Sequence, residues 1–325
     1  MKAAIITQPG GPEVLQIQEV ETPEPTGDQV RVRVKASGIN RADLLQRAGG
    51  YPAPAGSPSN IPGLEFAGVV DAVGPLVRMW QPGQRVMGLA GGGAQAEYIL
   101  AHEGLLVEIP ANLTFVQAAS IPEVFMTAHD ALFTQAGLRL GERVLIHAAG
   151  SGVGTAAIQL AKAVGATVFG TSRTPDKLEK ARALGLDFGV AAQNFAEEIQ
   201  NLTGGQGVHV VLDFMGASYL EQNLQALGNW GRMVILATMG GAQGNLHIGL
   251  LMSKRISVKG VTLRTRTLEE KLSVTRAFAT SVLPLLANGE VRPIIERTYP
   301  LAEISAAHAA MGENLNFGKF VITLD

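Results

Sequence analysis

Seven small residues, Ala148-Ala149-Gly150-Ser151-Gly152-Val153-Gly154, separate a short apolar run, Val144-Leu145-Ile146, from a helical pattern over about Thr155–Val164. The run is too short for a helix and is bounded by Gly141, so it reads as a buried parallel strand. Gly165 stops the helix, and Ala166–Phe169 reads as a second strand. Strand, glycine turn, helix and strand form a unit that aims unpaired backbone N–H groups at an anion. Glycines are needed because a side chain would hold those groups away from it. The chemistry this spacing serves is the holding of a dinucleotide pyrophosphate by Gly150, Ser151, Gly152, Val153 and Gly154. In the G-x-G-x-x-G register the turn reads Ala149-x-Ser151-x-x-Gly154, with Gly150 and Gly152 filling alternate slots.

The end of the second strand chooses between nucleotides. An acid there accepts hydrogen bonds from ribose hydroxyls, but this chain has Gly170-Thr171-Ser172-Arg173, with Lys177 soon after and no acid before Asp176. Thr174 is placed to cap a new helix with Pro175 at its first position. Ser172, Arg173 and Lys177 would then meet a 2′-phosphate, which points to NADPH over NADH. The bland alternative is a solvated basic pair at a helix start.

Composition narrows the rest. At 325 residues, 46% of them hydrophobic and 17% charged, the chain is long enough for two well-buried domains. A formal net charge of −2 gives no electrostatic reason to expect nucleic acid or an anionic membrane as partner. There is no cysteine, which removes disulfides, thiol catalysis and thiolate-bound zinc, and fits a reducing, cytoplasmic setting. The opening Met1–Ile6 is apolar but ends at Thr7, so a β-strand is expected there and not a signal peptide. No run of 18 apolar residues is present to span a bilayer. The six histidines, at 102, 129, 147, 209, 247 and 308, have no paired spacing and read as surface or satisfied core residues.

To about Leu113 the signals are short strands between Gly and Pro turns: Val30–Ala36, Val69–Val73, Arg85–Gly88 and Ala96–Leu100, as in a compact β-barrel. Among them lies a Pro-rich loop, Ala48–Pro58, whose Tyr51 could wall a pocket or merely fill space. Phe115–Ala136 has a helical pattern. Beyond the glycine unit, helices at Lys177–Leu184 and Phe195–Leu202 alternate with strands at Val208–Asp213, Met233–Ala237 and Ile256–Thr262. That alternation predicts an α/β fold with a doubly wound parallel sheet, whose ligand crevice lies beyond the carboxyl ends of its strands. Phe214-Met215-Gly216 and Met239-Gly240-Gly241 end two of those strands and are expected beside the nicotinamide half. A long helix, about Leu268–Ala287, and a last strand, Lys319–Leu324, fall outside the repeat and are expected to return to the first domain.

Gly38-Ile39-Asn40-Arg41-Ala42-Asp43, Gly63-Leu64-Glu65-Phe66-Ala67-Gly68, Ala148–Gly154 and Asn316-Phe317-Gly318-Lys319 resemble the zinc-free quinone oxidoreductases of the medium-chain dehydrogenase/reductase superfamily. Asn40–Leu44 and Ser151–Leu160 are similar to the tumour-suppressor-inducible NADPH:quinone oxidoreductase branch. The resemblance runs nearly end to end. It implies a GroES-like β-barrel catalytic domain over 1–120, a Rossmann NADPH-binding domain over 121–262, a return to the catalytic domain over 263–325, and a homodimer or homotetramer. It also implies that Asn40, Thr127, Met239, Gly240, Leu263, Arg264 and Thr265 flank the nicotinamide ribose and carboxamide, with Phe317 and Lys319 closing over the cofactor.

The superfamily's alcohol dehydrogenases hold zinc with a Cys where this chain has Asn40 and a His where it has Leu64, so no metal site is expected. Without a Lewis acid an alkoxide goes unstabilised, whereas a quinone delocalises the charge that arrives with hydride. The quinone is expected to stack on the nicotinamide, with Tyr51 orienting its oxygen or supplying a proton. Ser151 either bonds into the pocket or is simply small enough for the turn. Some family members carry a Tyr near the adenosine phosphate where this chain has Val190-Ala191-Ala192, which leaves phosphate selectivity to Arg173 and Lys177. The alternatives are an NADPH-dependent reductase of enals, enones or enoyl thioesters, and a non-catalytic NADPH-binding structural protein.

Overall fold

The computed structural model describes residues 1–324. The chain divides into two compact units, Met1–Met126 with Arg264–Asp325, and Thr127–Leu263. The first unit thus runs to Met126, within the helix Pro122–His129, and resumes at Arg264.

The first unit opens with β1 (Lys2–Ile6) and β2 (Leu15–Glu19), an antiparallel pair. Then come β3 (Gln29–Gly38), α1 (Arg41–Arg47), β4 (Glu65–Val73), β5 (Arg85–Leu89), β6 (Tyr98–His102) and β7 (Leu106–Glu108). In β3 the alternation Val30, Val32, Val34 faces the core, as period-two patterning requires. The helical pattern expected over Phe115–Ala136 is broken. It forms α2 (Phe115–Ala118), α3 (Pro122–His129) and a π-helical turn over Asp130–Gln135. Pro122 has no N–H to extend a helix from α2 but is suited to start a new one.

The second unit holds β8 (Arg143–Ile146), α4 (Gly152–Ala163), β9 (Thr167–Ser172), α5 (Pro175–Arg182), β10 (Phe188–Ala191), α6 (Phe195–Leu202), β11 (Val208–Asp213), α7 (Leu220–Ala226), β12 (Leu227–Ile235), α8 (Ile248–Lys254) and β13 (Ser257–Gly260). Its sheet is parallel throughout, in the order β10-β9-β8-β11-β12-β13. Leu145, Phe169, Val211 and Met233 form its core with Phe195 and Ile199 of α6. The strand expected at Met233–Ala237 starts earlier, at Leu227, and stops at Ile235.

The remaining segment returns to the first unit. The single helix expected over Leu268–Ala287 is two, α9 (Leu268–Ser281) and α10 (Leu283–Ala287), since Pro284 cannot continue an α-helical ladder. After β14 (Ile295–Pro300) and α11 (Ile304–Gly312), β15 (Lys319–Thr323) pairs antiparallel with β3. The first unit's sheet therefore runs β14-β15-β3-β4-β5-β7, with β6 also on β3. That pairing carries Lys319 into the unit's interior beside Asn40.

Candidate active site

In the second unit the glycine turn begins where β8 ends. Ala148 sits in the left-handed region, at φ 48°. The helix expected from Thr155 starts three residues earlier, with Ser151 as its N-cap: Gly154 N donates to Ser151 Oγ at 3.0 Å. Ser151 is thus first a capping residue, and its hydroxyl keeps its own hydrogen to donate. A Cβ at position 154 would lie 2.4 Å from the Ala148 carbonyl oxygen and 2.9 Å from that of Ala149, so only glycine lets α4 begin this close to the turn. The N–H groups of Gly152 and Val153 belong to the first helical turn, which has no intrahelical acceptors to offer them.

Behind the turn, His147 is fully buried. Its Nδ1 lies 2.8 Å from Thr171 Oγ1 and its Nε2 2.6 Å from Asn223 Oδ1, with Phe195 and Tyr219 edge-on to the ring. Burial pushes its pKa down to about 4, so the imidazole is neutral and ties β8, β9 and α7 together. It is a satisfied core histidine.

At the end of β9 the structure collects Ser172, Arg173 and Lys177 around the first turn of α5. Thr174 occupies the N-cap position, yet its side chain makes no cap bond; instead Thr174 N donates to Ser172 Oγ at 3.2 Å. Arg173 is exposed and lies near enough to Tyr219 for its charge to lower that hydroxyl's pKa, against a larger upward push from burial. Lys177 is half-buried.

The loops after β11 and β12 are joined. Asp213, buried at the end of β11, accepts from Met215 N at 2.7 Å and Gly216 N at 3.0 Å. Burial raises its pKa to about 6, while the two hydrogen bonds pull the other way. Gly240 N donates to the Met215 carbonyl at 2.7 Å and Met239 N to that of Phe214 at 3.1 Å. Phe214, Met215, Gly216, Met239 and Gly240 are therefore brought together, with Met239 51% exposed at the rim. On α3, Thr127 Oγ1 is buried without a hydrogen-bond partner. An orphaned hydroxyl and a capped helix start with free N–H groups fit a bound dinucleotide.

The first unit contributes a different arrangement. Glu65 is fully buried and Lys319 only 2% exposed; they form an ion pair at 2.6 Å. Lys319 Nζ also donates to the Ile39 carbonyl at 2.7 Å and to Asn40 Oδ1 at 2.5 Å. Asn40 Nδ2 donates to Glu65 Oε1 at 2.9 Å. Lys319 thus makes its three N–H bonds within the unit, to Glu65, Ile39 and Asn40. Asp43, also fully buried, accepts from Asn40 N at 2.7 Å and Gly63 N at 2.9 Å, and burial raises its pKa to about 6.

Arg264 likewise points inward. It donates to the carbonyls of Gly91 and Tyr51 and to Gln46 Oε1, and its guanidinium sits 5.0 Å from the centroid of the Tyr51 ring. Burial raises the Tyr51 pKa, the Arg264 charge holds it back, and the Glu123 charge adds to the rise. Thr265 is exposed and Leu263 half-buried, while Phe317 is buried with its N–H on Glu296 Oε2 at 2.9 Å.

Glu123 enters from the start of α3, where its own N–H donates to Glu65 Oε2 at 2.8 Å. Its pKa is raised to about 8, first by burial and then by the neighbouring Glu65 charge, with Lys319 and Arg264 opposing. Sequence reasoning gave Glu65, Glu123, Asp213 and His147 no part in the site. The available signal was a lone polar residue at the border of each apolar run: Glu65 before Phe66-Ala67, Glu123 before Val124-Phe125-Met126, Asp213 after Val210-Val211-Leu212, His147 after Ile146. Among the described residues no group of three or more His, Cys, Asp or Glu side chains is arranged to hold a metal ion.

Two family descriptions match the chain: the alcohol dehydrogenase GroES-like domain over residues 26–111 and the zinc-binding dehydrogenase over residues 152–279. The chain is 35% identical over 320 residues to a quinone oxidoreductase of Pseudomonas aeruginosa, covering 96% of each. Among solved structures it is similar to an NAD-dependent alcohol dehydrogenase (34% identity, TM-score 0.90, all of both chains). It is also similar to a mycobacterial protein complexed with NADPH (28% identity, TM-score 0.88, all of both chains). The chain belongs to the quinone oxidoreductase family of the medium-chain dehydrogenase/reductase superfamily. It is an oxidoreductase of that family, built from a GroES-like unit and a Rossmann-like unit, and its cofactor is a nicotinamide dinucleotide.

Proposed function

We propose that the enzyme reduces quinones with NADPH and needs no metal to do so. The observation that carries this reading is the state of Asn40, which stands where the superfamily's zinc enzymes have a Cys: its Oδ1 accepts from the Lys319 ammonium and its Nδ2 donates to Glu65, so the side chain is engaged with protein groups and offers no thiolate to a metal. An acceptor that spreads incoming charge over its own oxygens suits such a site better than an alcohol, whose alkoxide would need an electrophile. When bound, the dihydronicotinamide supplies the hydride. The protein's part is to bind and orient: Gly152 and Val153 N–H groups toward the pyrophosphate, Ser172, Arg173 and Lys177 toward the 2′-phosphate, and Thr127 Oγ1 toward the carboxamide.

A homodimer belongs to the same reading. β13 is the last strand of its sheet, and Val258 on it and Trp230 on β12 remain exposed, 39% and 66% respectively.

The deciding experiment measures NADPH and NADH consumption against small quinones and enones side by side, with products identified. Quinone turnover with NADPH is expected to dominate; faster enone reduction would reassign the enzyme as an alkene reductase. Arg173→Ala with Lys177→Ala should raise the Michaelis constant for NADPH at least about tenfold more than that for NADH, in keeping with the loss of charged hydrogen bonds. Equal changes for both nucleotides would reject the phosphate assignment.

A further inference from the structure

At the carboxyl end of the second unit's sheet, one buried carboxylate holds the joint between two loops. Asp213 is fully buried at the end of β11 and makes no ion pair among the described residues. Both its side-chain oxygens serve the turn that follows, one accepting from Met215 N at 2.7 Å and the other from Gly216 N at 3.0 Å. That turn presents its backbone to the loop after β12. Leu236 N donates to the Asp213 carbonyl at 2.7 Å, Met239 N to that of Phe214 at 3.1 Å and Gly240 N to that of Met215 at 2.7 Å. Ala217 N donates in the other direction, to the Gly241 carbonyl at 2.9 Å. The loops also approach closely: Gly216 has φ 70°, and a Cβ on it would lie 2.7 Å from the Gly241 carbonyl oxygen. The loop after β12 has no core of its own, since Thr238, Met239 and residues 241–249 are exposed. Its position therefore depends on the backbone bonds it makes to the turn that Asp213 fixes.

We infer that Asp213 is a positioning residue for the nicotinamide half of the dinucleotide, acting through the loop that carries Met239 and Gly240. This rests on the NADPH reading above. The sheet order is β10-β9-β8-β11-β12-β13, with Ser172–Lys177 following β9 and the glycine turn following β8. A dinucleotide with its adenosine phosphate at the first and its pyrophosphate at the second has its other half over the ends of β11 and β12. Asp213 does not meet that half itself, because both its oxygens are occupied by the turn. It sets where the neighbouring loop stands before the nucleotide arrives, which lowers the cost of ordering that loop on binding. A carboxylate suits the task because it accepts two N–H groups at once, one on each oxygen. An amide of the same shape accepts only through its single oxygen and turns its NH2 toward the second N–H.

Asp213→Asn provides the test, with two probes titrated into the full-length protein: NADPH, and adenosine 2′,5′-bisphosphate, which lacks the nicotinamide half. The variant should bind NADPH about 10-fold more weakly, the scale of one lost charge-assisted hydrogen bond, and the bisphosphate within about 2-fold of wild type. In the nucleotide-free protein, the Met239 and Gly240 amides should exchange with deuterium at least about 10-fold faster in the variant. The Ala149 amide, which donates to the Thr171 carbonyl between β8 and β9, should exchange as in wild type. Gly216→Ala reaches the same joint without altering the carboxylate, because its Cβ meets the Gly241 carbonyl, and should give the same split between probes. The double variant should bind NADPH no more weakly than the worse single one, since both open one joint. Equal losses for the two probes would make Asp213 a residue of the fold alone and overturn the inference, as would unchanged exchange at Met239 and Gly240. A wild-type protein that binds neither probe overturns the NADPH reading instead, and the exchange measurement still decides whether Asp213 holds the loop.

Discussion

The two units bury polar groups in opposite ways. The Rossmann-like unit satisfies its interior with neutral partners: His147 between Thr171 and Asn223, and Asp213 on two backbone N–H groups. The GroES-like unit buries an ion pair, Glu65 with Lys319, and surrounds it with two further carboxyls. Hydrogen bonds to uncharged partners, including the backbone N–H groups that hold the Asp213 carboxyl, fix loops in place without a counter-ion. Buried charges carry a large desolvation cost and persist only when paired, but an unpaired acid among them becomes a site where a proton is held at neutral pH.

The sharpest way to break this contrast is to leave a charge alone. Lys319→Met keeps the volume of the side-chain stem but strands Glu65 without its cation. Unfolding in urea should find it about 3–5 kcal/mol less stable than wild type. A loss under about 1 kcal/mol would mean that the ion pair is as dispensable as a surface one.

Gly154→Ala acts on the other unit. Its Cβ meets backbone carbonyls, not a flexible side chain, so the turn must open. A loss of about 1–3 kcal/mol is expected, together with loss of nucleotide uptake measured by fluorescence titration. Retained uptake would show that the start of α4 is not where the pyrophosphate is held.

The smallest effect separates the networks by pH. His147 has its pKa lowered from 6.5 to about 4, so the stability it confers is full above 6.5 and declines as pH falls toward 4. His147→Gln should cost about 1–3 kcal/mol at pH 7, and its gap from wild type should narrow across that window in thermal melts. Glu123 runs with the opposite sign. Its pKa is raised from 4.5 to about 8, so wild type loses stability relative to Glu123→Gln as pH rises between those values. If both variants differed from wild type by a constant amount at every pH, neither group would titrate as its surroundings demand.

Local signals made the second unit legible. A glycine run between an apolar tetrad and a helical pattern, and a Ser-Arg pair with a Lys one turn on, are contiguous in the chain. Their geometry follows from backbone rules that operate over a dozen residues. Element ends were less legible: Ser151 recruits Gly152–Gly154 into α4, Pro122 and Pro284 each divide one periodic run into two helices, and β10, too short to carry a pattern, went unread.

What the amino-acid order determined by itself was the α/β class, the parallel sheet of the second unit and the glycine turn that opens α4. Each depends on periodicity or on glycine at a fixed spacing. What only the tertiary structure decided was the fate of the charges. Asn40, Glu65, Glu123, Arg264 and Lys319 are scattered over 280 positions, counting from 40 to 319 inclusive. They meet because β15 returns to pair with β3. An ionisable group's protonation is set by the dielectric and the charges within a few ångströms, and that neighbourhood exists only after the chain has closed on itself.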